Sequence, residues 1–230
     1  MKCRYSLLCI AVLLFIFFAG KIYAQENTLW YRQPAKVWTE ALPVGNGRLG
    51  GMVFGGIDSE LIQLNEATLW TGGPVHQNMN PEAPSFLPKV RDALFKGDYD
   101  RAIQMAKKMQ GLYSESYLPL GDLTIKQTFP GNTTSNYYRG LSISDAIATT
   151  RFTAGDVTFT REVFCSAPAQ VMVIRISSDK PGQINTVIGA GSQIIHHNEK
   201  KGNDLLILKG KAPAHADPSY YNDNAQPIIY

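Results

Sequence analysis

Ala154-Gly155-Asp156-Val157-Thr158-Phe159-Thr160, followed shortly by Val171-Met172-Val173-Ile174-Arg175-Ile176, is the stretch whose reading decides the fold. Val157 to Thr160 alternates apolar and polar residues, the pattern of a strand with one face buried. Ala154-Gly155-Asp156 before it and Lys180-Pro181-Gly182 after the second run are turn compositions. The same grammar extends outward. Leu123-Thr124-Ile125-Lys126 and Leu141-Ser142-Ile143 alternate, and Gly131-Asn132 supplies another turn. Glu60-Leu61-Ile62-Gln63-Leu64 reads as a strand, and Leu29-Trp30-Tyr31, Met52-Val53-Phe54 and Leu205 to Leu208 are short apolar runs. Many short strands separated by turns predict a mainly β chain, with antiparallel sheets packed as a β-sandwich.

One region departs from this pattern. Ser85 to Lys96 sets Leu87, Val90, Ala93 and Leu94 on one helical stripe, and Gly97 ends it. Asp98 is positioned to cap a second helix running to about Met109, with Ala102, Ile103, Ala106 and Met109 on its stripe. The expectation is an α-helical hairpin inserted in the β domain. Its polar faces carry Lys89, Arg91, Asp92, Asp100, Arg101, Lys107 and Lys108. The apolar stripe is therefore expected to pack on the domain's own sheet, with Ile103→Asp strongly destabilising.

The chain has 230 residues, 44% of them hydrophobic and 18% charged, a globular composition and not a disordered one. Twenty glycines and 13 prolines make it turn-rich. The formal charge of +3 belongs to the start of the chain: residues 1–24 hold Lys2, Arg4 and Lys21 and no acid. Without them acids and bases balance, so there is no electrostatic reason to expect nucleic acid or an anionic membrane surface as partner. Residues 1–24 also have the layout of a secretory signal peptide: a basic start, an apolar stretch from Leu7 to Ala19, and Ala24 before Gln25. The apolar stretch is shorter than the roughly 20 residues of a membrane span. Export to the periplasm or outside, from a bacterial cell, is expected, with a domain at 25–230. Cys3 and Cys9 leave with the signal and Cys165 stands alone, so it is read as a small hydrophobe in a strand. Ile228-Ile229-Tyr230 reads as an interrupted strand, so the sandwich is expected to be incomplete at its C-terminal end.

Several patterns invite chemical readings. Gly45-Asn46-Gly47-Arg48-Leu49-Gly50 matches the dinucleotide pattern, but the strand-like Met52-Val53-Phe54 follows it where a helix N-terminus is required. A hairpin with permissive glycines is the better reading. His196, His197 and His215 lack further donors at metal-ligand spacing, and no metal or other cofactor is expected. Glu40 near Trp38 and Glu66 near Trp70 are the acids placed beside aromatics, as sugar chemistry favours, although nothing in the sequence brings the two together. Asn132-Thr133-Thr134 is a glycosylation triplet of use only in a eukaryotic secretory pathway.

Leu29-Trp30-Tyr31-Arg32-Gln33-Pro34-Ala35 and the run from Trp38 to Gly50 resemble glycoside hydrolase family 95, the α-L-fucosidases. The resemblance continues, in order, through Ile62 to Glu66, Leu69-Trp70-Thr71-Gly72, Tyr117 to Leu123, Asp156 to Phe164 and Gly210 to His215. It implies the N-terminal β-sandwich, of the super-sandwich type, of a multidomain inverting enzyme. The resemblance places the proton donor and the water-activating pair in an (α/α)6-barrel beyond a helical linker, both absent from this chain. No catalytic residue is therefore carried over, and substrate-binding residues are unassigned. The expected function is the accessory domain of a secreted α-L-fucosidase, meeting its glycan through the whole enzyme and packing on the linker and barrel. The alternative is a free-standing carbohydrate-binding module that stacks sugars on Trp30, Trp38 or Trp70.

Overall fold

The computed structural model describes residues 27–74, 80–111, 115–131, 133–220 and 226–230. Residues 1–24, where the sequence predicts a signal peptide, and Asn132 of the glycosylation triplet lie outside the described residues. Ten of the strands form two five-stranded antiparallel sheets. The strands are β1 (Thr28–Tyr31), β2 (Leu42–Gly45), β3 (Leu49–Val53), β4 (Ser59–Glu66) and β5 (Gly121–Thr128). They continue with β6 (Thr134–Ser142), β7 (Ile147–Ala154), β8 (Val157–Ser166), β9 (Val171–Ser178) and β10 (Asn185–Gly191). One sheet runs β1-β6-β7-β8-β9 and the other β10-β5-β4-β3-β2. The two face each other where β2 packs on β7 and β8, and β3 on β8 and β9. The antiparallel sandwich read from the sequence is the observed architecture. Two small ribbons complete the chain: β11 (Ile195–Lys201) with β12 (Leu205–Lys211), and β13 (His215–Ala216) with β14 (Ile228–Ile229).

Strand alternation builds the interior. Along β8, Val157, Phe159, Arg161 and Val163 are buried in turn while their neighbours are half-buried. Phe152 and Phe159 stack with centroids 5.7 Å apart, and the Phe129 ring lies 5.1 and 5.0 Å from them. A second apolar cluster joins Leu42, Val44, Val53 and Ile62 of one sheet to Leu141, Ala148 and Val163 of the other. Cys165 packs against this cluster, and burial pushes its thiol up, as expected of a small hydrophobe.

Between the clusters lies a polar staple that composition does not announce. The fully buried Arg161 guanidinium donates to the carbonyls of Gly56 and Ile57 and to Gln127 Oε1 at 2.7 Å. Its partner across the sheets is the buried Glu60 carboxylate at 3.4 Å, which also accepts from the Gly55 amide at 2.7 Å. Burial pushes Glu60 up, opposed by the Arg161 charge and the loop amides. The Tyr137 hydroxyl donates to the Gly55 carbonyl at 2.7 Å, so the loop before β4 is held from several sides.

The hairpin forms as expected. Helices α1 (Ala83–Phe95) and α2 (Tyr99–Lys107) are joined at Gly97, whose φ of +73° lies in the left-handed region. The Asp98 side chain accepts from the Arg101 amide at 3.1 Å, the N-cap read from the sequence. Its packing differs from expectation. The helices pack on each other through the buried Ala93 and Ala102. Ile103 remains 56% exposed, and Leu87, Leu94 and Phe95 are exposed as well. The stripe does not bury on the domain's own sheet. Two alanines bring short helices together closely, and that contact leaves the larger apolar residues outside it. Phe86 is instead covered by the cations of Lys89 and Lys108, 4.8 and 5.7 Å from its ring.

Candidate functional site

The face of the β10-β5-β4-β3-β2 sheet that points away from the core carries its own row of side chains. Register sets Pro43 beside Met52, Met52 beside Gln63, and Gln63 beside Asp122. Asn65 lies two residues along β4 from Gln63, on the same face, opposite Gly50. Loops raise walls around this row and enclose a cleft of about 540 Å³. Trp38 and Tyr117 are its aromatic walls, 58% and 49% exposed. Gln193 adds another amide, and Asp122 is the one charged side chain of the lining among the described residues.

Each wall is positioned by identifiable bonds. The Trp38 loop is tethered from the opposite sheet by the buried Arg139 of β6. That side chain donates to the Gln33 carbonyl at 2.8 Å and the Glu40 carbonyl at 2.7 Å, and stacks over Tyr31 at 4.1 Å. Tyr117 is bridged to Trp70, their rings meeting edge-on at 5.9 Å. The Leu118 amide donates to the Leu69 carbonyl and the Thr71 amide to the Ser116 carbonyl. Ser116 Oγ donates to the Ala216 carbonyl at 2.5 Å, and the Gly72 amide to that of Ala214, bringing the His215 segment to the same end. At Gly121 a Cβ would sit 2.3 Å from the Gly191 carbonyl, so only glycine lets β10 approach there. Ser192 Oγ donates to the Leu120 carbonyl at 2.9 Å and fixes the loop bearing Gln193.

The residues singled out in the sequence distribute unevenly. Trp38 lines the cleft and Trp70 buttresses Tyr117, whereas Trp30 lies on the edge strand of the other sheet beneath Arg32. Glu40 and Glu66 lie outside the lining, and both carboxylates hold local backbone. Glu40 accepts from the Lys36 amide at 2.7 Å. Glu66 accepts from the amide and hydroxyl of Thr68 at 2.8 and 2.6 Å, and these bonds hold its carboxyl below the usual range. Gly45 to Gly50 is a β2–β3 hairpin with Gly47 at φ +93°. Asn46 closes it by accepting from the Arg48 and Leu49 amides. His196 and His197 are successive residues of β11, one against the Ile194 carbonyl and the other against Glu199. His215 contacts Asp217 at 2.8 Å.

Sequence reasoning missed Gln63, Asn65, Tyr117, Asp122 and Gln193. The first two carried a usable signal, since two amides spaced by two on a strand share a face. The others arrive by tertiary contact. All of the cleft lining except Gly51, Met52 and Gln193 belongs to the sequence blocks that carry the resemblance.

Residues 29–226 match the family model of the glycosyl hydrolase family 65 N-terminal domain. Similar curated proteins are fucosidases by name. Alpha-L-fucosidase 2 of Arabidopsis thaliana is 36% identical over 192 residues, covering 82% of this chain and 23% of the relative. Probable alpha-fucosidase A of Aspergillus niger is 32% identical over 166 residues (68% and 21%), and that of Aspergillus oryzae 34% over 164 (67% and 22%). The chain thus spans about a fifth of the length of the curated relatives it matches. A two-sheet sandwich, the family match across its length and these relatives agree with the resemblance to family 95: the chain belongs to the N-terminal domain family of fucosidase-like glycoside hydrolases.

Proposed function

We propose that this chain is the N-terminal accessory domain of an exported enzyme that hydrolyses terminal α-L-fucosyl linkages of glycans. The observation that carries the reading is the match of residues 29–226 to a glycoside-hydrolase N-terminal domain together with relatives named as fucosidases. The chemistry is consistent with an accessory role. Glycoside hydrolysis uses a proton donor and a second carboxylate or water-activating group across one bond. The Thr68 hydrogen bonds lower the Glu66 carboxyl, whereas a proton donor needs a raised one, and Glu40 is engaged by backbone. The resemblance to family 95 puts the proton donor and water-activating pair in a barrel domain, and the local roles of Glu40 and Glu66 are compatible with that. The exposed stripe of the helical hairpin supports a further body of the enzyme packing there, through the linker or the barrel. Export rests on the layout of residues 1–24.

The test is the complete gene product, including whatever the frame encodes beyond codon 230. Purified from the periplasm or medium, it should release L-fucose from an aryl α-L-fucoside with inversion at the anomeric carbon, seen by NMR, and begin at Gln25. Cleavage of other aryl glycosides and not of fucosides would overturn the substrate class. Met1 retained on cytoplasmic protein would overturn export. A free-standing carbohydrate-binding module is the second reading, favoured by the exposed Trp38. A stop directly after codon 230, with a chain that binds glycans, would establish it.

A further inference from the structure

We propose that the cleft on the outer face of the β10-β5-β4-β3-β2 sheet is itself a binding site for a neutral pyranose of the glycan. The inference takes its ligand class from the glycan reading above but not its enzymology. Three features point to it. The first is shape and size: about 540 Å³, within the roughly 300–1,000 Å³ of small-ligand sites. The second is the pairing of large exposed rings with amides. Trp38 and Tyr117 stand where apolar C–H faces of a sugar ring can lie; Arg139 ties down the loop that carries Trp38, and the Tyr117 ring rests edge-on against Trp70. A ring already held against a neighbour, as Tyr117 is, loses little freedom when a ligand covers it. Gln63, Asn65 and Gln193 present donors and acceptors suited to hydroxyl groups that are both.

The third feature is an unfilled demand. Asn65 Oδ1 is buried without a hydrogen-bond partner among the described residues. Such an atom raises the energy of the empty site until a donor reaches it. In the empty cleft that oxygen is turned away from solvent, so a sugar hydroxyl beside Gln63 reaches it only as the Asn65 amide rotates toward the ligand. Charge then selects among sugars. Among the described residues the lining holds no Lys or Arg and its one charge is Asp122, so a carboxylated or sulfated sugar is repelled and a neutral one is accepted.

The exported form of this chain alone, residues 25–230, should be titrated with fucosyllactose, L-fucose and galacturonate, with binding read by isothermal calorimetry and by saturation transfer to the sugar protons. We expect fucosyllactose to bind more tightly than fucose, and galacturonate to bind more weakly than either. Trp38→Ala and Asn65→Leu should each weaken fucosyllactose by about tenfold or more. Trp30→Ala, on the other sheet, should leave it unchanged. Circular dichroism checks folding. Should Trp38→Ala fail to fold, Gln63→Ala serves the same purpose from the sheet face. Absence of binding by the wild-type chain at tens of millimolar overturns the proposal, by the affinity such weak sites still show. Binding that survives in Trp38→Ala and Asn65→Leu, or is lost in Trp30→Ala, overturns it too. None of these results depends on hydrolysis, so a failed proposal leaves the accessory-domain reading standing, and a failed fucosidase assay leaves this one.

Discussion

The sandwich interior and the helical hairpin use the same apolar vocabulary to different ends. In the interior, Phe152, Phe159 and Ile62 are completely buried, and even the charges of Arg161 and Glu60 are enclosed and bonded. In the hairpin only Ala93 and Ala102 are buried, and Ile103, Leu94 and Phe95 face outward. An amphipathic stripe shows that a helix has a side to cover. It does not show that the partner is in the same domain. The contrast assigns stability to the sheets and leaves the hairpin as a separate, weakly coupled unit.

The contrast breaks most easily at the largest expected effects. Phe159→Ala removes the centre of the aromatic cluster and should cost about 3–5 kcal/mol, measured by urea denaturation. Arg161→Ala should cost a similar amount, about 3–5 kcal/mol, because it leaves Glu60 and three carbonyl or amide oxygens buried without their donor. If either change left the midpoint unmoved, the two sheets would not be the stabilising body.

Asp98→Ala sharpens the comparison from the other side. Losing the cap bond to Arg101 should weaken α2 by about 1 kcal/mol. In a weakly coupled unit this appears as faster amide exchange within α2, with protection in β7 and β8 unaltered. Ile103→Asp should then change the denaturation midpoint by less than the equivalent of about 0.5 kcal/mol, as at any solvent-facing site. A loss of several kcal/mol would return the stripe to the domain's own sheet.

These cases also show what the sequence could and could not say. Strands β4, β5, β8, β9 and β12 were legible because alternation or short apolar runs report burial of one face. Helix boundaries were legible because Gly97 and Asp98 act locally. β11 was not, since Asn198-Glu199-Lys200 reads as a turn and is held in a strand by its partner Leu206 to Leu208. The Arg161–Glu60 staple was also hidden, because two residues 101 apart meet only after the sheets pack. For the cleft, Trp38 and Trp70 were legible as aromatics beside acids. Glu40 and Glu66 misdirected attention, because composition cannot tell a carboxylate that binds a turn from one that faces a ligand.

The smallest predicted effect concerns one such turn. Thr68 donates two hydrogen bonds to Glu66, so its carboxyl titrates below the ordinary range. A depressed folded-state value contributes stability above the unfolded pKa, lost as pH falls through the folded one. Thr68→Val removes the hydroxyl donor and should move the Glu66 titration, followed by NMR, upward toward an ordinary glutamate. No movement would mean that the backbone amide of residue 68, with Arg48 3.5 Å away, sets the value and the hydroxyl does not.

If the domain serves the proposed glycoside hydrolase without performing the hydrolysis itself, the purified chain from Gln25 to Tyr230 should be inert toward an aryl α-L-fucoside. Release of the aryl group should not rise above the buffer rate. Turnover by the wild-type chain that disappears in Glu66→Gln or Glu40→Gln would contradict it.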